Sequence, residues 1–233
     1  MANQLRSEFH KLLRFGVFYV SLGLILLMCG YCFAENQVRH IFTDIYTVFH
    51  DGIQDNSFTF FIALITAWFI GNDFSNRTVN REIVSGCGRW SVIISRTIPV
   101  WIMNTFFHFF WVAAYMLFIG FGVGFDTAGF SSGDIAWCGT VLLQIIALSS
   151  VLTFISFVCE KTYSAITACV ITVFFGCNIM RNFITSEIYR CSCFCFASQT
   201  DGTFLAKCSV SAVITIAVMM TATYLIFRKK DLS

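Results

Sequence analysis

The sequence predicts an all-α polytopic membrane protein, folded as a single transmembrane domain over residues 1–233 with six transmembrane helices. Of the 233 residues, 57% are hydrophobic and only 12% are charged, whereas a soluble domain carries about 25% charged residues. The mean hydropathy is +0.75. Six stretches of 15 residues or more contain no Asp, Glu, Lys or Arg, and together they fill more than half of the chain. These predicted spans are residues 15–34, 57–71, 97–125, 135–159, 162–180 and 208–227.

Two amphipathic segments flank the first spans. Residues 2–14 carry apolar side chains at helical spacing opposite basic ones, which predicts an N-terminal interfacial helix lying on the membrane surface. The loop 35–56 repeats the pattern with acidic residues on its polar face. A span needs about 20 residues to cross the bilayer core. We therefore expect the loop 35–56 to lengthen the short second span.

The distribution of Lys and Arg predicts the topology. With both termini on one side, eleven basic residues fall on that side and four on the other. The eleven are Arg6, Lys11, Arg14, Arg77, Arg81, Arg89, Arg96, Lys161, Arg228, Lys229 and Lys230, and the four are Arg39, Arg181, Arg190 and Lys207. Basic residues are retained on the inner side of a membrane, so we expect cytoplasmic N- and C-termini in a bacterial plasma membrane.

Two connections are too long to be simple turns. The inner segment 72–90 contains helix-forming residues followed by Ser85 and Gly86, which predicts a short cytoplasmic helix between the second and third spans. The outer loop 181–207 is rich in Phe, Ile and Cys. It is too apolar for a free aqueous loop, so we expect it to be partly re-entrant before the sixth span.

The spans hold few polar groups that could carry chemistry. The candidates for a translocation path are Asn104, His108, Gln144 and Thr153, because intramembrane polar groups are costly unless they are used or paired. Hydrogen bonding between packed helices explains the same residues equally well. A zinc site usually pairs a C-x₂₋₄-C motif with a second pair of Cys or His ligands. This pattern is missing around Cys191, Cys193 and Cys195. The sequence predicts no catalytic residue and no metal site.

The composition and motifs also limit the classes of function. No Gly-Lys dipeptide and hence no phosphate-binding loop of the G-x-x-x-x-G-K-[ST] type is present, so ATP hydrolysis by that route would need another chain. A secondary transporter or channel is the first alternative, but its usual midplane carboxylates or Arg are missing from the spans. A membrane-embedded enzyme is the second, and His108 alone supplies no nucleophile and base pair. Nothing points to nucleic-acid binding.

The order of these elements resembles the permease subunit of ABC transporters of the type-2 exporter family. Such permeases commonly carry Glu-x-x-Lys on the interfacial helix, matched by Glu8 and Lys11. Their second span ends at an acidic residue, followed by a basic-Thr step, a short helix, a Gly-x-x-Arg motif and a basic residue entering the third span. The matching residues here are Asp73, Arg77, Thr78, Glu82, Gly86, Arg89 and Arg96. Asp73 replaces the commoner Glu of the family.

The resemblance implies a division of labour. A separate cytoplasmic ATP-binding-cassette ATPase, which holds the ATP and Mg, would drive a homodimer or heterodimer of permeases, and this chain would be no enzyme by itself. The residues expected to couple to that ATPase are Asp73, Arg77, Thr78, Arg81, Glu82, Gly86 and Arg89. We expect Glu82 to pair with a basic residue of the partner or with Arg77 or Arg81. The many Phe residues favour an amphiphilic or hydrophobic cargo, as in permeases for bacteriocin or lantibiotic immunity and bacitracin resistance.

Overall fold

The chain is mainly helical in the part that the structure, a computed structural model, describes. That part comprises residues 2–14, 16–55, 59–126, 129–179, 186–198 and 201–229, and it contains no strand. The helices are α1 (Ala2–Leu13), α2 (Gly16–Arg39), α3 (Ile45–Gln54), α4 (Thr59–Ser75), α5 (Thr78–Val84), α6 (Arg89–Val123), α7 (Ser132–Cys159), α8 (Thr162–Val173), α9 (Glu187–Arg190) and α10 (Gly202–Lys229). A π-helical stretch, Phe174–Ile179, continues α8. The all-α prediction is confirmed.

Four of these helices are long and apolar enough to cross a membrane: α2, α6, α7 and α10. The pair α3 and α4 passes the same test as one broken span with a bend of 42°, which would give five. The apolar helix Thr162–Cys177 is shorter, reaching about 24 Å at 1.5 Å per residue. A multi-pass membrane protein therefore follows from length and composition, while the predicted count of six spans exceeds these four or five.

The second predicted span differs from its expected form. The structure places a separate helix, α3, before α4, and the Asp44 side chain caps α3 by accepting a hydrogen bond from the Thr47 backbone N–H at 2.8 Å. The loop 35–56 therefore does not extend α4 as one straight helix. Residues 56–58, where the predicted span 57–71 begins, lie outside the described residues.

Helix α7 forms the centre of the bundle. It packs against α4, α6, α8 and α10, and 67% of the residues in its apolar 18-residue stretch are buried. Helix α4 also packs closely on α8, where a Cβ added to Gly71 would lie 2.8 Å from the Thr162 Cα. Only a residue without a side chain allows this approach of two backbones.

The peripheral helices expose large apolar side chains. In α2 and in α10, only 17% of the residues in the apolar 18-residue stretch are buried. Leu27 on α2 is 72% exposed, and Val210 on α10 is 60% exposed. Exposure of so much apolar surface to water is unfavourable, and large exposed apolar patches mark sites of contact with a membrane or another protein. These faces fit contact with lipid or with another membrane chain.

The segment before α10 folds back onto the bundle. In residues 186–198, α9 is followed by an irregular stretch in which Cys191, Cys193, Phe196 and Ala197 are buried. Contact with α7 thus accounts for the apolar composition of this part of the loop 181–207. Residues 181–185 and 199–200 lie outside the described residues. Helix α10 begins at Gly202, six residues before the predicted start of the sixth span.

Candidate functional site

A buried charge cluster joins four helices at the end of the bundle where α6 begins. Its centre is the guanidinium of Arg96 on α6, which is fully buried. The Arg96 Nε donates to Asp73 Oδ2 of α4 at 2.9 Å. The Nη1 and Nη2 atoms donate to the two carboxylate oxygens of Glu82 on α5, each at 2.9 Å. This fork geometry is the strongest form of Arg–carboxylate pairing.

Helix α1 completes the cluster with two residues one turn apart. Lys11 Nζ donates to Asp73 Oδ1 and lies 3.6 Å from Glu8 Oε2. Glu8 Oε1 is 4.0 Å from an Arg96 nitrogen. The N-terminal amphipathic helix is therefore fastened to α4 and α6 by charge, in addition to its apolar face.

The cluster is rich in negative charge. It contains three carboxylates, Glu8, Asp73 and Glu82, against the two cations Lys11 and Arg96. Burial, and next the negative charge of Asp73, raise the pKa of Glu8 above its ordinary value, and Lys11 and Arg96 offset this only in part. A proton on Glu8 would balance the cluster, since it would leave two negative and two positive charges.

The backbone around α5 explains how Glu82 reaches Arg96. The chain leaves α4 through Arg77 in a left-handed conformation, with φ 55°, and α5 starts at the next residue. At its other end, Gly86 adopts φ 93°, a conformation that favours glycine and ends helices. The short helix predicted within 72–90 is thus present as α5, seven residues long.

The two faces of α5 differ. Val79 is fully buried and Glu82 is bonded to Arg96, so these residues face the bundle. Arg77 and Arg81 are exposed, and Val84 is 83% exposed. Within the described residues neither Arg77 nor Arg81 has an ion pair. Glu82 pairs with Arg96 through both of its oxygens, and not with Arg77 or Arg81 as one expectation had it. Pairing of Glu82 with a basic residue of a partner chain stays a prediction.

The remaining residues of the predicted coupling set lie around the cluster. Thr78 is the half-buried first residue of α5. Arg89, at the start of α6, donates from Nη1 to the carbonyl oxygens of Phe227, at 2.7 Å, and Arg228 at the end of α10. A cation here satisfies the last carbonyls of α10 and suits the negative end of that helix.

The predicted path residues are all fully buried. The Asn104 amide donates to Thr66 Oγ1 of α4 and Ser149 Oγ of α7, both at 2.9 Å, and so ties three helices together. The His108 ring lies 5.2 Å from the Phe196 ring, centroid to centroid. Thr153 Oγ1 has no hydrogen-bond partner in the described part of the chain. A role of these residues in translocation stays a prediction.

Gln144 holds the irregular segment before α10. Its amide nitrogen donates to the carbonyl oxygens of Ser192 and Cys195 at 3.1 and 3.0 Å, and its oxygen accepts from the Ala197 N–H at 2.9 Å. The Trp137 indole nitrogen donates to the Ala197 carbonyl oxygen at 2.6 Å. These bonds satisfy backbone groups that would otherwise be buried without partners. A position of this segment within the membrane stays a prediction.

The chain was also compared with known proteins. No family model, no curated protein and no solved structure matches it. Among the described residues, no three His, Cys, Asp or Glu side chains are grouped so that they could hold a metal ion.

Sequence reasoning missed the central residue of this site. Arg96 was identified only as a basic residue entering the third span, although it organises the cluster. The available signal was its position, because it is the last charge before 29 residues without Asp, Glu, Lys or Arg. Burial of a charged side chain at the start of a long apolar helix is costly, unless the charge is paired with an opposite charge or the group becomes neutral.

Proposed function

We propose that this chain is the permease subunit of an ATP-driven exporter, coupled through α5 to a separate ABC-type ATPase. The observation that carries the proposal is the fixation of α5 by the Glu82–Arg96 pair, with the opposite face of the same helix left open. A short helix held rigidly on one side and exposed on the other is suited to transmit force between two proteins.

The connectivity of the charge cluster supports transmission in particular. Arg96 bonds Glu82 of α5 and Asp73 of α4, and Lys11 links Asp73 to α1. A displacement of α5 would therefore act on three other helices, on α6 and α4 through the Arg96 guanidinium and on α1 through Lys11. The bidentate pair of Arg96 with Glu82 fixes the relative orientation of α5 and α6.

The exposed face of α5 has the chemistry of a docking surface. Arg81 lies on this face, the exposed Arg77 directly precedes the helix, and Val84 adds an exposed apolar side chain. Interface centres are enriched in Arg and apolar residues. We propose that this face enters an acidic, partly apolar groove of the ATPase, which also holds the ATP and Mg.

The proposed arrangement in the membrane has six spans. In it, α3 with α4 forms the second span, and the short apolar helix that begins at Thr162 with its π-helical end forms the fifth. Both termini lie in the cytoplasm of a bacterial cell, and the chain pairs with itself or with a sister permease in the plasma membrane. The cargo is amphiphilic or hydrophobic, such as a peptide antibiotic.

The test is purification of the tagged chain from its native membranes. We expect a nucleotide-binding ATPase to co-purify and to bring vanadate-sensitive ATP hydrolysis that the chain alone lacks. Arg81→Glu and Val84→Glu should abolish this association, whereas Arg39→Glu, an exposed control at the far end of α2, should not. Normal abundance of all variants in the membrane is the condition for comparison. Full co-purification with both α5 variants would refute the proposed contact.

A further inference from the structure

A second site lies at the other end of the bundle. A cavity of about 330 Å³ opens between α2, α3 and α6, lined by Met28, Cys32, Asp51, Gln54, Asp55, Trp111 and Tyr115. Trp111 lies 15 residues beyond Arg96 on α6, which places this cavity about 22 Å along the helix from the charge cluster. It is separate from the surface proposed to meet the ATPase.

The polar part of the cavity is acidic. Asp51 lies in the last turn of α3, and Asp55 is the residue that directly follows this helix. The lining of the cavity includes no Lys or Arg. The Tyr115 hydroxyl donates to Asp51 Oδ2 at 3.1 Å, which orients this carboxylate toward the aromatic wall. Glu35 lies outside this lining and is paired with Arg39 at 3.2 Å, so the negative charge of the cavity comes from the two aspartates. A cation entering this cavity would be favoured.

The opposite wall is aromatic. The rings of Trp111 and Tyr115 stack with centroids 5.4 Å apart and an interplanar angle of 12°. Both residues are at least 95% buried. Faces of Trp and Tyr attract organic cations, more strongly when water is excluded. A small inorganic ion would not use such a wall, because it prefers a shell of oxygen ligands.

One buried donor is left without a partner. The indole Nε1 of Trp111 is buried and has no hydrogen-bond partner in the described part of the chain. An unsatisfied buried donor costs about 1–3 kcal/mol. A ligand with an acceptor oxygen close to its cationic group would remove this cost.

We propose that this cavity binds the ammonium or guanidinium group of an amphiphilic organic cation that carries a carbonyl oxygen near the charge. Asp51 and Asp55 neutralise the cation, Trp111 and Tyr115 cover it, and Met28 contacts the apolar part of the ligand. The inference goes beyond the proposed coupling to an ATPase, since binding at this site requires no ATP. A Lys- or Arg-containing peptide has the required chemistry.

The test uses the full chain in phosphatidylcholine nanodiscs, which carry no net charge to attract a cation, with empty nanodiscs as the blank. The probe is lauroyl-arginine ethyl ester. Its matched control is lauroyl-citrulline ethyl ester, which has nearly the same shape but no charge. We expect saturable binding of the arginine probe only, as measured by microscale thermophoresis.

Two variants locate the binding. The double variant Asp51→Asn, Asp55→Asn should weaken the binding of the arginine probe about 10-fold or more. The control Glu187→Gln changes an acidic residue outside the cavity whose side chain is 78% exposed, and it should leave binding unchanged. Trp111→Phe keeps a ring but removes the donor, so a smaller loss of a few-fold is expected. Equal binding of both probes, or unchanged binding in the folded double variant, would overturn the inference. Displacement of the arginine probe by Ca²⁺ but not by free arginine ethyl ester would also overturn it.

Discussion

The guanidinium of Arg96 holds both carboxylate oxygens of Glu82 at 2.9 Å, across a gap of 14 residues and between two helices. This pair fixes α5 to α6, and the buried Val79 and the partly buried Ile83 add apolar packing on the same side of α5. Buried ion pairs are poor sources of net stability, since desolvation of both charges offsets their attraction. Their value lies in fixing one geometry, which is the property a coupling element needs.

Replacement of Arg96 by Met should be strongly destabilising. It would remove the cation that Asp73 and Glu82 share, which leaves Asp73 with Lys11 alone and the half-buried Glu82 without a described ion pair. Removal of one partner of a buried ion pair costs about 3–5 kcal/mol, and the partial exposure of Glu82 lowers this figure. Thermal unfolding in nanodiscs, followed by tryptophan fluorescence, measures the effect. Arg81→Met is the matched control, because Arg81 is exposed and has no described ion pair. Equal unfolding temperatures of the two variants would show that the cluster does not hold the helices together.

Replacement of Glu8 by Gln should change the pH dependence of stability. The raised pKa of Glu8 means that the folded state binds its proton more tightly than the unfolded state. The stabilisation is therefore complete below the ordinary value of 4.5 and is lost as the pH rises through the raised value. Glu8→Gln keeps the neutral form at every pH.

We accordingly expect the Glu8→Gln protein to be more stable than the natural chain at pH 8 and to match it near pH 4.5. Unfolding temperatures across this pH range test the sign. Glu187→Gln, at an exposed position, should leave the profile unchanged. A natural chain that gains stability relative to Glu8→Gln on going to pH 8 would contradict the assignment.

Replacement of Gln144 by Leu should release the segment that precedes α10. Three backbone groups lose their partner, at about 1–3 kcal/mol for each buried group that stays unsatisfied. Hydrogen exchange followed by mass spectrometry should show faster exchange at the Ala197 amide. Ser150→Ala is the control, because within the described ranges the Ser150 hydroxyl bonds only the Ile146 carbonyl of its own helix. Unchanged protection of Ala197 in the Leu variant would count against the clamp.

Two glycines make a matched pair. Gly71→Ala should destabilise the contact of α4 with α8 by about 1–3 kcal/mol, because the added Cβ meets the Thr162 backbone at 2.8 Å. A Cβ added to Gly139 would enter open space beside its own helix. Gly139→Ala should therefore be neutral or stabilising by up to about 1 kcal/mol, the gain in helix propensity. The reverse order of unfolding temperatures would contradict the packing.

The sequence predicted the helical class and the rough position of most helices, since apolar stretches of this length form helices wherever they lie. It misplaced their ends for one physical reason. Charge-free windows stop at any charged residue, yet α6 begins at Arg89 and includes Arg96, and α10 includes Lys207. Arg96 is neutralised by carboxylates, and Lys207 is exposed and paired with Glu187 at 3.2 Å. Charges of either kind can be part of a long apolar helix.

The candidate site was predictable only in part. The sequence identified Asp73 and Glu82, and it noted Glu8 and Lys11, but it could not pair them. Arg96 lies 23 residues from Asp73 and on a different helix from Glu8. Partners at such separations are set by the packing of helices, which hydropathy and local spacing do not contain. The pairing of Glu82 with Arg96, in place of Arg77 or Arg81, is the clearest consequence.

The most direct test of the coupling proposal is photo-crosslinking from α5 in the cells that make the protein. A benzoylphenylalanine residue is placed at position 81, on the exposed face of α5, and in a second strain at position 39, at the far end of α2. We expect a crosslink from position 81, and none from position 39, to a protein that contains a nucleotide-binding ATPase domain. Crosslinking of the ATPase from position 39, or no crosslink from position 81 although the ATPase co-purifies with the chain, would show that α5 is not the contact.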